Sequence, residues 1–212
     1  MQTRWPGAGG SPVGQLLLRR AVAEGNLLGI HSGSVRGHVP HPAMPPAELR
    51  ASLRAGAADI EAAGGGAPAL VRPPGWKFDP GTLSTYRSAA LEMVLTDVSA
   101  RDGSLVLFQV DPEGGGRFHW ELGCLKERVE QGNITPLDGV VPVVVTFHDT
   151  NGYTARHLEQ YLSTLVRAAR TAGLEVAQPP FYASAQEAGR AARMRAPSTH
   201  GWRNRVIPGC PD

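Results

Sequence analysis

Apolar residues recur at helical spacing in several stretches of the chain. They predict a short amphipathic helix over 13–23 and a second helix that begins at Pro46 and ends at the glycines 64–66. A weaker pattern predicts a helix over 83–91. The strongest apolar stripe predicts a further helix, and it consists of Leu158, Tyr161, Leu162, Leu165, Val166 and Ala169.

Short apolar runs alternate with these helices and predict strands. The runs are NLLGIH (26–31), PALV (68–71), LEMVLTDV (91–98), VVPVVVTFHD (140–149) and GLEVAQP (173–179). Residues 101–139 have little readable pattern, although DPEGGGRF (111–118) indicates a hairpin turn or a surface loop. Strand–helix–strand alternation predicts an α/β fold with parallel strands covered by helices.

Polar side chains stand at or near the ends of four predicted strands. These are His31, Arg72, Asp97 and His148. In parallel α/β folds the loops that follow the strands converge on one face, and chemistry collects there. The sequence therefore predicts a functional site formed by these strand ends.

Composition excludes several function classes for the 212-residue chain. Its net charge of +2 is too small to indicate nucleic-acid binding, and no basic run is interleaved with aromatic residues. No run of apolar residues is long enough to predict a membrane span. The first thirty residues do not resemble a signal peptide, so the chain as it stands would be cytoplasmic, but its localisation and any export stay open. Cys124 and Cys210 are far apart in sequence and leave the redox compartment open.

Three histidines, His31, His38 and His41, lie within eleven positions of a loop rich in glycine and proline. Such a loop is not expected to hold them as core packing, and neutral imidazole is a good ligand for zinc and similar divalent ions. The spacing matches no recognised ligand motif, so three histidines on a flexible surface loop are the alternative.

Arg72 and the His148–Asp149 pair are further candidates for chemistry. A guanidinium can hold a neighbouring carboxylate in its ionised form. His148 ends the most hydrophobic strand and is well placed as a general acid, whereas Asp149 could equally cap the next helix. A Ser-His-Asp hydrolase is not indicated, because the sequence has no G-x-S-x-G elbow.

Taken in order, these segments resemble the polysaccharide deacetylases of carbohydrate esterase family 4, the NodB-type domain. AEGNLLGIHS resembles the family motif that ends in the first metal histidine, and ELRASLRAGAADIEAAGGGAPALVRPPGW follows the next helix, strand and arginine motif. LEMVLTDVSARDG and VPVVVTFHD resemble the two later motifs. The resemblance covers roughly residues 15–180 and is poor between 103 and 139.

The resemblance implies a deformed (β/α) barrel that forms a single domain over 1–195, followed by a Pro/Gly/Arg-rich tail over 196–212. It implies a metal-dependent hydrolase that acts on non-peptide carbon–nitrogen bonds and removes acetyl groups from a sugar or polysaccharide. The implied metal is zinc, held by His31 and by His38 after a three-residue insertion, with His41 as the fallback. His148 would be the general acid, oriented by Asp102 or Asp97; Arg72 would tune a carboxylate, and Pro74 and Trp76 would contact the carbohydrate.

One family motif has no counterpart here. The family's T-F-D-D-G motif, which supplies a base and a metal ligand, stands about fifty residues before the metal histidines, and the first thirty residues of this chain contain no aspartate. The expected barrel is therefore incomplete at the N-terminus. The alternative function is a catalytically inactive carbohydrate-binding or scaffold remnant of the same fold, with Trp76, Phe118 and Trp120 as stacking faces. Partner copies and the oligomeric state stay open.

Overall fold

The computed structural model describes residues 8–100, 102, 116–148 and 152–199. The chain divides into two compact units. The first unit comprises Met1–Leu95 with Tyr182–Pro197, and the second comprises Thr96–Phe181 with Ser198–Asp212.

The α-helices of the described residues, in chain order, are α1 (Pro12–Ala23), α2 (Pro46–Ala62), α3 (Pro80–Ser88), α4 (Gly116–Glu130), α5 (Gly152–Arg156), α6 (Leu158–Thr171) and α7 (Ala185–Thr199). The strands are β1 (Leu70–Val71), β2 (Glu92–Met93), β3 (Val98–Ser99) and β4 (Val145–Thr146). Short 3₁₀ turns occupy Ala8–Gly10, His41–Ala43 and Pro74–Trp76. No described helix combines the length and the apolarity that crossing a membrane requires.

The predicted helices over 13–23, after Pro46 and after 157 are confirmed. Helix α1 begins where the Ser11 hydroxyl accepts a hydrogen bond from the Gly14 N–H at 3.0 Å. The helix predicted at 83–91 instead begins at Pro80, because Asp79 and Thr82 form a reciprocal capping box one turn earlier. Local capping chemistry, more than apolar spacing, sets this boundary.

Parallel pairing is confirmed for both strand pairs. Strand β1 pairs with β2 in the first unit, and β3 pairs with β4 in the second. Each strand is only two residues long, so the described residues form a mixed α/β fold in which a closed barrel is not observed. The segment NLLGIH contributes a single parallel bridge, from Ile30 to Val71.

Three predicted strands were too long or wrong. The run 91–98 is divided between β2 and β3, which pair with different partners. The run 140–149 contributes β4 and, at Val140, an isolated antiparallel bridge to Leu137, while Val140 and Val143 are exposed. Pro142 within this run has no N–H to donate to a ladder. GLEVAQP forms no strand. An apolar run predicts burial, but a strand also needs a neighbouring strand to pair with.

The hairpin or surface loop predicted at 111–118 was wrong at its C-terminal end. Helix α4 begins at Gly116, while residues 111–115 lie outside the described part. Leu122 and Leu125 on α4 are buried in the core of the second unit. Three consecutive glycines predict a turn more strongly than a helix. The prediction gave them more weight than the helical spacing of the apolar residues that follow.

Each unit has its own hydrophobic core. In the first, helices α1 and α2 and the strand pair β1–β2 bury Leu18, Leu49, Ile60 and Val71 almost completely. In the second, Val98 of β3 packs with residues of α4 and α6, including Tyr161. Helix α7 continues past residue 195, the predicted end of the domain, and residues 200–212 lie outside the described part.

Candidate functional site

Two separate histidine sites emerge from the described residues, one in each unit. In the first unit the parallel bridge between Ile30 and Val71 sets the position of the residues that follow them. The Ile30 N–H donates to the Leu70 carbonyl, and the Arg72 N–H donates to the Ile30 carbonyl, both at 2.9 Å. His31 and Arg72, the next residues along each segment, are consequently neighbours.

The loop after His31 is folded back by its small polar residues. The Ser32 hydroxyl accepts a hydrogen bond from the Ser34 N–H at 3.1 Å, and the Gly37 N–H donates to the Ser34 carbonyl at 3.3 Å. Gly33 anchors the loop against α2, where a Cβ would lie 2.2 Å from the Ser52 carbonyl oxygen. These contacts return the chain toward its start and place His38 beside His31.

The two imidazoles meet through their Nε2 atoms. His31 Nε2 and His38 Nε2 are 2.8 Å apart, and the ring centroids are 4.8 Å apart. The other ring nitrogen of His31, Nδ1, lies 2.7 Å from the Arg72 carbonyl oxygen, an acceptor that requires Nδ1 to carry the proton. His31 Nε2 therefore presents a lone pair, and the proton shared with His38 belongs to His38.

This pair has the properties of metal ligands. Burial lowers the pKa of His31 to about 3, so its imidazole is neutral at neutral pH. A backbone carbonyl that holds Nδ1–H is a common outer partner of a metal-ligating histidine. Within the described ranges, however, no group of three or more His, Cys, Asp or Glu residues is arranged to hold an ion. His31 and His38 thus fit two positions of a divalent ion's coordination shell.

His41 was predicted to lie on a loop outside the core, but it is buried. Its side chain is fully buried, and Nδ1 forms a hydrogen bond with the Tyr86 hydroxyl from α3. Burial lowers the pKa of His41 to about 4 and raises that of Tyr86. The expectation that this loop cannot pack a histidine into the core was wrong for His41, because the 3₁₀ turn His41–Ala43 directs it inward.

Arg72 is a partly buried guanidinium bound to neutral groups. Its Nη2 donates to the Leu95 carbonyl at 2.6 Å and its Nε to the Val94 carbonyl at 3.3 Å. The guanidinium carbon lies 5.1 Å from the centroid of the Trp76 ring, a cation–π distance. Pro74 is buried, and Trp76 follows it with a positive φ of 60°, a backbone strain typical of functional turns.

In the second unit, His148 and Asp102 follow the paired strands β4 and β3. Val98 pairs with Val145, and the Ala100 N–H donates to the Thr146 carbonyl at 3.1 Å. The residues beyond both strands therefore meet at the carboxyl end of the pair. Asp102 Oδ1 lies 2.7 Å from His148 Nδ1, and Asp102 Oδ2 accepts from the His148 N–H at 2.8 Å. The carboxylate thereby orients the ring and places the Nδ1 proton between them.

The Asp102 side chain is fully enclosed, whereas 36% of the His148 side chain is exposed. Burial alone would raise the pKa of Asp102, but hydrogen bonds from the side chain and backbone of His148, and from the Thr154 hydroxyl, lower it overall. Asp102 is therefore an ionised acceptor. His148 Nε2 is left as the ring atom that can exchange a proton with a ligand.

Asp97, the other candidate for orienting His148, lies before β3 and not after it. Its Oδ2 accepts from the Val144 N–H at 2.9 Å, and its Oδ1 is 3.9 Å from Arg128 Nη1 on α4. These contacts tie the start of β3 to the segment before β4. The structure thus brings Asp102, and not Asp97, to the ring of His148 by a described hydrogen bond.

Two further predicted residues, Phe118 and Trp120, lie on α4 and differ in their exposure. Phe118, expected as an exposed stacking face, is buried, because its ring contacts those of Phe147 and Tyr161. Trp120 on the same helix is exposed. Asp149 and Cys210 lie outside the described residues. Sequence reasoning missed Tyr86 and Thr154, since a lone tyrosine or threonine on a helix carries no motif that marks it.

Comparison with solved structures identifies the fold. A family 4 carbohydrate esterase from Streptomyces lividans, in complex with acetate, aligns with a TM-score of 0.50 and 20% identity over 73% of this chain and 68% of that chain. The chain shares the fold of a family 4 carbohydrate esterase. A mutant CE4 family pseudoenzyme with restored enzymatic activity aligns with a TM-score of 0.51 and 17% identity, over 76% of this chain and 49% of that one. No protein-family model and no curated protein matches the sequence.

On this esterase-like fold the predicted site residues fall into three sets. His31, His38 and Arg72 are neighbours in the first unit. Asp102 and His148 are bonded in the second. His41 and Asp97 bond to other partners, the Tyr86 hydroxyl and the Val144 N–H.

Proposed function

We propose that the chain is a metal-dependent carbohydrate deacetylase-like hydrolase of the NodB type, which removes acetyl groups from a sugar or polysaccharide. The observation that carries the proposal is the Asp102–His148 pair, in which a buried carboxylate is hydrogen-bonded to both the ring and the backbone of a partly exposed histidine. The resemblance of the ordered sequence motifs and the likeness in fold support the substrate class.

His148 is assigned as the proton donor. Asp102 holds Nδ1–H, and its negative charge stabilises the imidazolium that a general acid must form before it protonates a departing amine or alkoxide at Nε2. Asp102 also accepts from the His148 backbone N–H, so one carboxylate fixes both the backbone of His148 and the orientation of its ring. Asp102 is therefore a positioning residue for His148.

His31 and His38 are assigned as the metal ligands through their Nε2 atoms, with zinc as the proposed ion. Ligation by His38 requires the proton on its Nε2 atom to move to Nδ1. When bound there, the ion would polarise the acetyl carbonyl and make water more acidic. The Arg72 carbonyl holds His31 in the tautomer that ligation needs. Trp76, stacked under Arg72, and the neighbouring Pro74 are assigned to carbohydrate contact.

The described residues place no carboxylate with the His31–His38 pair to act as a base. A positioned general base typically contributes about 10²–10⁴ in rate, so deacetylation by this chain is expected to be slower by that order. The same observation favours a second candidate, a catalytically inactive carbohydrate-binding protein of this fold, in which Trp76 and the exposed Trp120 contact the sugar.

One assay separates the two candidates. Acetate release from acetylated chito-oligosaccharides and acetylated xylan is measured with added Zn²⁺ and with a chelator, for the wild-type chain, the double variant His31→Ala/His38→Ala, and His148→Ala. His157→Ala is the matched control, because that histidine stacks on Tyr153 at 4.1 Å and belongs to neither pair.

The deacetylase proposal predicts metal-dependent release that both site variants abolish and the control retains. Release that survives in the double variant would contradict the metal assignment. Saturable oligosaccharide binding without any release, weakened by Trp76→Ala, would establish the inactive alternative in its place.

A further inference from the structure

Helix α1 carries apolar side chains on its outer face as well as on its inner one. Leu18 is buried in the core of the first unit, whereas Val13, Leu16 and Leu17 are each more than half exposed. Leu27, shortly after the helix, is exposed as well. A helix that is apolar on both faces is usually covered on both, and adjoining exposed apolar side chains mark a contact surface.

The exposed row on α1 also carries one charge of each sign. Residues 8–18 contain no charged side chain, and the row that includes Leu17 continues with Arg20 and Glu24. Residues spaced at three and four positions share one side of a helix, so these three side chains are neighbours. Arg20 Nε and Glu24 Oε1 are 2.7 Å apart, and both side chains are exposed. Together with Leu27, the order of exposed residues is apolar, positive, negative, apolar.

We propose that this face of α1, with Leu27, binds a second copy of the chain about a twofold axis. A twofold axis that passes between Arg20 and Glu24 reverses the order of the row. It therefore places Arg20 of each copy opposite Glu24 of the other, and Leu17 opposite Leu27. The row thus complements itself in both charge and apolarity.

The charge of the row favours this occupant over two others. An anionic lipid surface or a nucleic acid is bound by an excess of positive charge, whereas the row pairs one arginine with one glutamate. The net charge of +2 leaves little long-range repulsion between two copies. The dimer needs neither a metal nor a substrate, so it goes beyond the proposed function and does not depend on it.

The dimer is expected to be weak, because a few apolar side chains and two exposed ion pairs form an interface at the small end of the range. We expect a dissociation constant of about 10–100 μM, measured by sedimentation velocity of the full chain between about 1 and 300 μM. Leu17→Ser is expected to weaken association at least about tenfold. Leu158→Ser, at an exposed leucine of α6, is the matched control and should associate as the wild type does.

Charge reversal tests the twofold contact itself. Arg20→Glu places like charges opposite Glu24 of the second copy, and Glu24→Arg does the same opposite Arg20, so each variant alone is expected to stay monomeric. Mixed in equal amounts, the two variants bring opposite charges together at both contacts. They are expected to form a mixed dimer with a dissociation constant within about threefold of the wild-type value. Circular dichroism confirms that each variant is folded.

The wild-type measurement decides the matter even if a variant fails to fold. A wild-type chain that stays monomeric at about 300 μM would overturn the dimer, and its sedimentation with phosphatidylglycerol vesicles would then assign the face to lipid. A dimer that Leu17→Ser leaves intact, or charge-reversed variants that stay apart when mixed, would also overturn it. Neither result bears on acetate release, so the deacetylase proposal and the dimer stand or fall separately.

Discussion

In the first unit His31 donates its Nδ1 proton to a backbone carbonyl, whereas in the second unit His148 shares the corresponding proton with the buried carboxylate of Asp102. The carbonyl carries no net charge, so burial dominates and the pKa of His31 falls to about 3. The carboxylate of Asp102 carries a negative charge and accepts hydrogen bonds from both the ring and the backbone N–H of His148. Under the proposed assignments, the same side chain serves as a metal ligand in one unit and as a proton donor in the other.

The contrast between the two histidines depends most strongly on the charge of Asp102. Asp102→Asn retains an oxygen that can accept from the His148 N–H, but it no longer stabilises an imidazolium. If the chain deacetylates as proposed, the turnover rate is expected to fall by about 10²–10⁴, measured as acetate release. Glu48→Gln, at an exposed carboxylate, is the control. A rate within twofold (about the scatter of such assays) of the wild-type rate in Asp102→Asn would refute the assignment of His148 as the acid.

Gly33 offers a stability test of how the first unit holds its histidines. A Cβ at this position would meet the backbone of Ser52 and Gly56 on α2, so Gly33→Ala is expected to lower the free energy of unfolding by about 3 kcal/mol. The measurement is urea unfolding followed by circular dichroism.

Gly123 on α4 is the matched control for Gly33, because a Cβ placed there would have nothing within 4 Å. Gly123→Ala is expected to stabilise the chain by up to about 1 kcal/mol, as alanine does in helix interiors. Equal effects at the two glycines would show that the His31 loop is not anchored on α2.

The buried His41 gives the first unit a pH dependence. The pKa of His41 in the folded chain is about 4, below the unperturbed value of about 6.5, so the unfolded chain binds a proton between these pH values that the folded chain does not. Stability is therefore expected to fall as the pH drops from about 6.5 to 4, by up to about 1.4 kcal/mol per pH unit from this group.

His41→Gln should remove that contribution and make the dependence less steep, as measured by urea unfolding between about pH 7 and pH 5. The contribution of His31, whose pKa burial lowers to about 3, is expected to remain. His119→Gln, at an exposed histidine, is the control. A His41→Gln chain whose stability falls as steeply with acid as the wild type would contradict the buried, neutral state of His41.

The smallest effect is expected at the exposed ion pair of Arg36 and Glu48, whose side chains are 51% and 36% exposed. Glu48→Gln should change the free energy of unfolding by less than about 1 kcal/mol, since solvent screens such pairs.

Asp102→Ala, which removes two hydrogen bonds from His148, should lower the free energy of unfolding by about 1–3 kcal/mol. Both substitutions are measured by urea unfolding. Equal losses of unfolding free energy from Glu48→Gln and Asp102→Ala would contradict the expected difference between an exposed and a buried carboxylate.

Residue spacing was enough to find α1, α2 and α6, because their apolar stripes repeat over several turns. Strands were harder to predict, because a two-residue strand such as β4 is set by its partner and not by its own sequence. The apolar residues 140–144 predicted a strand, but they form no strand ladder in the structure. Glycines 114–116 led to the opposite error. They predicted a turn, whereas helix α4 begins at Gly116.

The site residues that directly follow paired strand residues were predictable from the sequence. Ile30 and Val71, and then Val98 and Val145, are paired in parallel, so the polar residues that follow each pair lie together within their own unit. The sequence left Asp102 and Asp97 as alternatives, and only the strand bounds distinguish the residue after β3 from the one before it. The inward turn of His41 toward Tyr86 depends on a contact 45 residues away and has no local signal.

The most direct test of the roles proposed for His31 and His148 is to measure which ring nitrogens carry protons. Their side-chain ¹⁵N shifts report this near neutral pH, with and without Zn²⁺. We expect a neutral His31 with its proton on Nδ1, and Zn²⁺-induced shifts at the Nε2 atoms of His31 and His38. We also expect the proton of His148 to stay on Nδ1 beside Asp102 in both conditions. A His31 protonated on Nε2, or Nε2 signals of His31 and His38 that ignore Zn²⁺, would contradict these assignments.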